Sequence, residues 1–456
     1  MAYTWTVALL LAALVAVTLA QVKVSPKIAA IQQPIRRVYP ICNHQRVVVC
    51  ANNRFALDLY KNIACSVDGN MIFSPFSVSA ALAMTYGGAS GVTAKQMAKA
   101  LRFYNMPWYC NVHKGFLALM NLLQSSSTQY ILSPCQQDLR RRRLSFECKS
   151  HINFADLTQT YYLSPAENLD IRFDTANSLQ HINNWVASQT NNEITNLLTA
   201  LDPGTGLVLV NAITFKGEWV NKFDLTYSGP FHLTCCDTIQ TTKMKFGCGY
   251  PMMKHGVIPA FDAQILELPY KGNKVSMYIL RPNHIEGLAY LENQLNLAIL
   301  NAAISSMTAK PIDLAMPKFS LSQTIDLKPI LKALGMFDVF SAFDADLHKI
   351  GTGNAKLWVD FVVHQAIINV HENGTEASAA TAVGVCRVKR ATPPPIPYDV
   401  DRPFIFFIRE QTSGSILFMG RLVKPEAAAA TAVGVGKGGD FERFVGMKPD
   451  QVFRKG

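Results

Sequence analysis

Glu372-Asn373-Gly374-Thr375-Glu376-Ala377-Ser378-Ala379-Ala380-Thr381-Ala382-Val383 is a run of small residues with no large apolar anchor and no proline. Such a run holds an isolated loop poorly, yet it fits into a crowded sheet. Read as a strand, the two-residue period sends Thr375, Ala377, Ala379, Thr381 and Val383 to one face and Glu376, Ser378 and Ala380 to the other. The charged and hydroxylated side chains then fall toward solvent. Gly374 supplies backbone freedom where the chain must bend into a sheet. Alanine-rich segments also favour helices, so a short surface helix is the competing reading of these residues alone.

The segments around this run show what it would join. Leu207 to Phe215, Val275 to Leu280, Phe404 to Ile408 and Ile416 to Val423 are short apolar or alternating stretches bounded by Gly, Pro or Asn, and are predicted as buried strands. Phe76 to Leu101, with Ser77 available as a cap, and Leu179 to Leu198, with Ile182, Trp185, Val186, Ile194 and Leu197 near helical spacing, are predicted as packed helices. The fold class is therefore α+β. A chain of 456 residues with 49% hydrophobic and 16% charged residues has ample core material, which excludes general disorder. No long linker divides its middle, so one large domain is expected.

The ends and the charge bound the compartment and the partners. Val7 to Ala20 is apolar but short for spanning, and Thr18 and Ala20 are small residues ahead of a cut before Gln21, the pattern of a cleaved signal peptide over residues 1–20. An uncleaved amino-terminal anchor is the alternative. The mature chain is expected to be secreted, extracellular and monomeric, with no membrane and no nucleic-acid partner. A net charge of +11 favours polyanions such as sulfated glycans, against the plainer reading of a solvated basic surface. Ten cysteines are too scattered for a disulfide scaffold: Cys42 and Cys50 could close a small loop, and adjacent Cys235 and Cys236 read as structural or free. Metal-ligand spacings, nucleophile motifs and phosphate loops are missing from the sequence, so no metal, no cofactor and no enzymatic activity are expected.

Three stretches carry a family resemblance: Ser74-Pro75-Phe76-Ser77-Val78-Ser79, Leu209-Val210-Asn211-Ala212-Ile213-Thr214-Phe215-Lys216-Gly217-Glu218-Trp219, and Arg402-Pro403-Phe404-Ile405-Phe406-Phe407-Ile408 followed by Gly414 to Gly420. In this order they resemble the serpins, over about Arg54 to Pro425. The resemblance implies three β-sheets, eight or nine helices and an exposed reactive loop at about 372–400, with 21–53 as an amino-terminal extension. It implies a serine protease inhibitor of the inhibitory type, in which cleavage of the loop frees its hinge to enter the main sheet as an extra strand. The hinge would be Glu372, Gly374, Thr375, Glu376, Ala377, Ser378, Ala379, Ala380 and Thr381. Before insertion, Thr375 is expected near solvent. Non-inhibitory relatives that carry ligands or store protein are the alternative, and the small hinge residues favour inhibition over it.

Family spacing from Glu372 places the residue before the scissile bond near Val388, surrounded by Arg387, Lys389 and Arg390. A protease with a carboxylate at the base of its pocket would accept any of the three basic residues, so a trypsin-like serine protease is the expected partner. An elastase-like enzyme cutting after Val388 is the runner-up. Ser74, Ser77, Asn211 and His364 match the serpin cluster beneath the opening of the main sheet, with His364 read as a buried hydrogen-bonder rather than a base. Trp219 matches the aromatic at the loop entry point. Asn373-Gly374-Thr375 is a glycosylation sequon.

Two stretches depart from the pattern. Between about Gln124 and Leu169 the expected strand and helix are hard to find, and Arg140 to Arg143 reads as a solvated loop or a wrongly joined coding segment, ahead of a glycan-binding or proprotein-cleavage element. Glu426 to Val435 repeats Glu376 to Val385 at every position but Ser378, as a duplicated loop-coding segment would. The tail 426–456 is expected to be disordered.

Overall fold

A computed structural model describes residues 43–106, 111–125, 130–141, 154–164, 167–247, 249–350, 356–375 and 394–428. Helices α1 (His44–Ala64), α2 (Pro75–Gly88), α3 (Gly91–Ala100), α4 (Val112–Ser125) and α5 (Phe154–Tyr162) occupy the first part of the chain with strands β1 (Met71–Phe73) and β2 (Tyr130–Arg141). Next come β3 (Glu167–Leu169), α6 (Thr175–Gln189), β4 (Leu207–Glu218), β5 (Leu225–His232), β6 (Thr238–Lys245), β7 (Met252–Ile258), β8 (Ala263–Pro269) and β9 (Val275–Pro282). Helices α7 (Leu288–Gln294) and α8 (Leu297–Ser306) precede β10 (Thr308–Pro317) and β11 (Phe319–Asp326). The chain closes with α9 (Lys328–Ala333), β12 (Val359–His371), β13 (Gly374–Thr375), β14 (Ile396–Asp399), β15 (Phe404–Glu410) and β16 (Ile416–Leu422).

The strands form three sheets, two of which share β10. One has the order β11-β12-β13-β4-β2-β3. A second runs β1-β16-β15-β9-β8-β7 and ends on the first half of β10, where Thr308 to Pro311 pair with β7. The second half of β10 belongs to a third sheet, pairing antiparallel with β6 at Ala315 to Pro317 and parallel with β14 at Ile312 to Ala315. β5 covers the far edge of β6.

Helix α2 packs against β2 and β4 of the first sheet and against β16 of the second. That position explains its composition: Phe76, Val78, Ala81 and Leu82 are buried along with Ser77, Ser79 and Thr85, so the helix has no polar face to turn outward. Strand β16 is buried at every position, between β1 and β15; its apolar run is broken only by Gly420 and by Arg421, which pairs with Glu292 at 2.8 Å.

Several expectations need correction. The stretch from Phe76 to Leu101 is two helices, because Gly91 takes a positive φ of 57° and Ser90 sits extended before it; likewise α6 stops at Gln189, although Ile194 and Leu197 still pack into the same core cluster. The packed unit begins before Arg54: Val48, Val49 and Ala51 of α1 are buried, and buried Asn53 donates to the Gly414 carbonyl at 2.7 Å. Cys50 lies exposed on that helix, and Cys42, its candidate partner in a small loop, lies outside the described residues.

Another concerns the stretch that seemed to lack a strand. β2 pairs with β4 over eleven residues, from Tyr130 opposite Gly217 to Arg140 opposite Leu207, and α5 and β3 follow it. Its polar run and Pro134 hide it from periodicity, since proline argues against a central strand. Arg140 and Arg141 are therefore strand residues paired with β3, while Arg142 and Arg143 lie outside the described residues. The tail also starts differently than expected. Thr241 and Ala427 form an antiparallel bridge, Ala428 N–H donates to the Gln240 carbonyl at 2.9 Å and Thr241 Oγ1 to the Glu426 carbonyl at 2.7 Å. The first three residues of the repeat thus extend the β6 ladder.

Candidate functional site

The centre of the six-stranded sheet is a parallel pair. β12 and β4 run side by side from Val359 opposite Leu207 to Ile367 opposite Thr214, with a register irregularity at Val359/Phe361. Every other neighbour of these two strands is antiparallel. Parallel ladders are slightly weaker per residue, so this seam is the soft line of the sheet.

Beneath the seam the four polar residues singled out in the sequence meet. Ser74 caps α2, its Oγ accepting the Ser77 N–H at 3.2 Å and donating to the Leu417 carbonyl of β16 at 2.6 Å. The Ser74 N–H donates to His364 Nε2 at 2.9 Å. Nε2 is therefore the accepting nitrogen, and the imidazole proton sits on Nδ1, which donates to Asn211 Oδ1 at 2.5 Å. Asn211 Nδ2 then donates to Ser77 Oγ at 2.7 Å. The chain of bonds crosses from α2 to β12, to β4 and back to α2, so it can be completed only while β4 and β12 are adjacent. All four residues are buried, and burial pushes His364 down to about 3. The ring is neutral at physiological pH and no solvent reaches it, which suits a structural bond and not proton transfer.

At one end of the seam β13 enters between the two strands. Gly374 and Thr375 pair antiparallel with Val370 and His371 on one side and with Gly217 and Glu218 on the other. Gly374 has a φ of 152°, and a Cβ there would lie 2.0 Å from the Gly217 carbonyl oxygen. Only glycine fits. Thr375 is fully buried, with Oγ1 2.8 Å from the hydroxyl of Tyr270. This overturns the expectation that Thr375 lies near solvent: the slot between β4 and β12 is already open at this end and the first hinge side chain fills it.

Trp219 organises the approach. Its ring stacks on Tyr270 at 4.3 Å and 18°, its Nε1–H donates to the His371 carbonyl at 2.9 Å and its backbone N–H to the Asn373 carbonyl at 3.0 Å. Glu372 is held by Lys318 at 2.8 Å, and its carbonyl accepts the Phe223 N–H at 2.9 Å. Asn373, the sequon residue, is half-buried in this turn. Tyr270 and Lys318 escape sequence reasoning because nothing local marks them; they reach the hinge only through pairing of distant strands.

The far end of the loop is pinned as well. Lys243 of β6, which has no exposed side-chain surface, forms an ion pair with Asp399 of β14 at 2.7 Å. Arg281 lies over the Tyr398 ring at 4.8 Å and donates to the Asp399 carbonyl at 2.6 Å. Glu376, Ala377, Ser378, Ala379, Ala380 and Thr381 of the hinge, and the cleavage candidates Arg387, Val388, Lys389 and Arg390, lie outside the described residues.

Comparison with known proteins agrees with this geometry. Residues 50–425 match the family model Serpin (serine protease inhibitor). The chain is 35% identical over 380 residues to Serpin B8 of Homo sapiens, covering 82% of this chain and 98% of that protein. It is 37% identical over 391 residues to leukocyte elastase inhibitor of Bos taurus, with 82% and 98% covered. Among solved structures, Serpin48 of the insect Tenebrio molitor superposes with a TM-score of 0.72 at 28% identity, over 84% of this chain and all of that one. The chain belongs to the serpin family.

The buried imidazoles make the fold acid-sensitive. Burial lowers His364 to about 3 and His113 to about 4, whereas an unfolded histidine titrates near 6.5. Below that value the unfolded state takes up protons that the folded state refuses, so stability should fall with pH by up to about 1.4 kcal/mol per unit for each ring until its folded pKa is reached. Denaturant midpoints measured between about pH 7 and pH 5 should show this slope, and His364→Gln should reduce it by one proton. An unchanged slope in His364→Gln would remove this histidine as the cause.

Proposed function

We propose that the protein is a secreted suicide-substrate inhibitor of a trypsin-like serine protease, trapping its target as an acyl-enzyme while its loop enters the seam between β4 and β12. The observation that carries this reading is β13, a two-residue strand lying antiparallel between two parallel strands. Lengthening β13 by the residues after Thr375 would replace one parallel ladder with two antiparallel ones. Thr375 faces inward, so the same period turns Ala377, Ala379, Thr381 and Val383 inward after it. All are small enough to pass over the α2 side of the sheet. Roughly ten added backbone hydrogen bonds at ~0.5–1.5 kcal/mol net each give a gain on the order of ten kcal/mol. A gain of that size can offset deformation of a protease active site.

In this reading Ser74, Ser77, Asn211 and His364 hold the seam shut below the hinge, and Trp219 with Tyr270 frames the entry. Insertion needs no second copy, so the inhibitor acts as a monomer. Secretion rests on Val7 to Ala20, sulfated glycans on the net charge, and glycosylation at Asn373 on its sequon. Target preference rests on Arg387, Lys389 and Arg390. A second reading, cleavage after Val388 by an elastase-like enzyme, draws support from the similarity to a leukocyte elastase inhibitor.

Mixing the protein with trypsin should give a complex that survives denaturation, and changing both Lys389 and Arg390 to Ala should abolish it while the fold persists. Sequencing the released fragment locates the bond. Cleavage far from Arg387 to Arg390 would displace the proposed reactive site, and cleavage after Val388 by elastase alone would favour the second reading.

Thr375→Arg tests the mechanism. The side chain would have to enter a fully enclosed position beside Tyr270, and an unpaired charge there costs several kcal/mol. The hinge should be expelled, the intact protein should lose stability, and trypsin should cleave the loop and leave active. Trapping by Thr375→Arg at the wild-type stoichiometry would rule out hinge insertion as the source of inhibition.

A further inference from the structure

The turn between β5 and β6 reads Leu233-Thr234-Cys235-Cys236-Asp237. Both cysteines are free and exposed, and their sulfurs lie 3.4 Å apart. In an extended chain adjacent side chains point to opposite faces, so this approach is made by the turn. Leu233 N–H and Thr234 N–H both donate to the Asp237 carbonyl, at 2.8 and 3.2 Å. Thr234 Oγ1 accepts the N–H groups of Cys236 and Asp237 at 3.2 and 3.0 Å, and Glu286 Oε1 accepts that of Cys235 at 3.1 Å. Five hydrogen bonds thus hold the two thiols on one side of a short loop.

We propose that Cys235 and Cys236 form a reversible redox site, a vicinal dithiol that low-molecular-weight disulfides convert to a disulfide ring within the turn. The thiolate of Cys236 attacks one sulfur of the small disulfide, giving a mixed disulfide and releasing one small thiolate. Cys235, after losing its proton to solvent, attacks the Cys236 sulfur and expels the second small thiolate. Two protein thiols are oxidised, one disulfide is reduced to two thiols, and the electrons balance. Glu286 Oε1, which accepts the Cys235 N–H at 3.1 Å, places a carboxylate beside Cys235 and disfavours its thiolate, so Cys236 is the first attacker.

The ring is suited to switching. Consecutive Cα atoms are about 3.8 Å apart, against about 4.4–6.8 Å in ordinary disulfides, so the closed ring is strained. Strained, exposed disulfides have high reduction potentials and reopen readily. Closure would also pull on the tie from Cys235 to Glu286, next to the place where the His232 N–H holds the Asp401 carbonyl at 2.7 Å, just beyond β14.

The test is to treat the folded full-length protein with glutathione disulfide, quench with acid and map its peptides by mass spectrometry. The peptide holding both cysteines should lose two hydrogens and carry no glutathione, and dithiothreitol should restore it. Cys235→Ser and Cys236→Ser should each instead retain one glutathione on the remaining sulfur. The ring should close faster in the folded protein than in urea. Untouched thiols, stable glutathione on the wild-type pair, linkage of either sulfur to another cysteine, or equal rates folded and unfolded would each overturn the proposal.

Discussion

The parallel contact between β4 and β12 is the constraint on which the rest of the molecule depends. Two parallel neighbours inside an otherwise antiparallel environment satisfy their backbone groups, but they do so in the arrangement that an antiparallel guest could improve. The His364–Asn211 bond spans that contact at 2.5 Å and is tied through Ser74 and Ser77 to a helix sandwiched between two sheets. Separating the strands breaks this bond and leaves buried polar atoms to find new partners, which is costly without a replacement strand. The seam is thus held closed by these specific bonds together with its backbone ladder and the packing of its buried side chains.

Both ends of the loop are fixed to elements that could not be more different in kind. The amino-terminal end is a strand of two residues, Gly374 and Thr375, whose fit depends on the missing Cβ of glycine and on one hydroxyl-to-hydroxyl contact with Tyr270. The carboxyl-terminal end is β14, with four residues paired to β10 and locked by the buried ammonium of Lys243 and the guanidinium of Arg281. In the proposed mechanism, extension from the first end would proceed through the small residues that follow Thr375 in the sequence. Release of the second would break an ion pair and a cation–π contact together.

Much of the site was legible because it sits in strong local patterns. β4 is a mostly apolar run, and Gly374 before a string of small residues marks a bend into a sheet; the cap of α2, expected at Ser77, is instead Ser74, because the helix begins at Pro75. What stayed hidden was nonlocal. Tyr270 meets Thr375 across more than a hundred residues, Lys318 meets Glu372 across two strands, and Lys243 meets Asp399 across more than a hundred and fifty. β2 was missed because its pairing partner, and not its own alternation, makes it a strand. The burial of Thr375 was missed for the same reason, since a sequence cannot show that a seam is already parted at one end.

The central claim is that the intact fold holds a better-paired sheet in reserve, reached when the loop is cut. Thermal unfolding of the protein before and after limited cleavage of the loop, with both fragments retained, measures this most directly. The account predicts a higher unfolding midpoint in the cleaved form, as the residues after Thr375 extend β13 between β4 and β12. A cleaved form that unfolds at the same temperature as the intact protein, or lower, would contradict it.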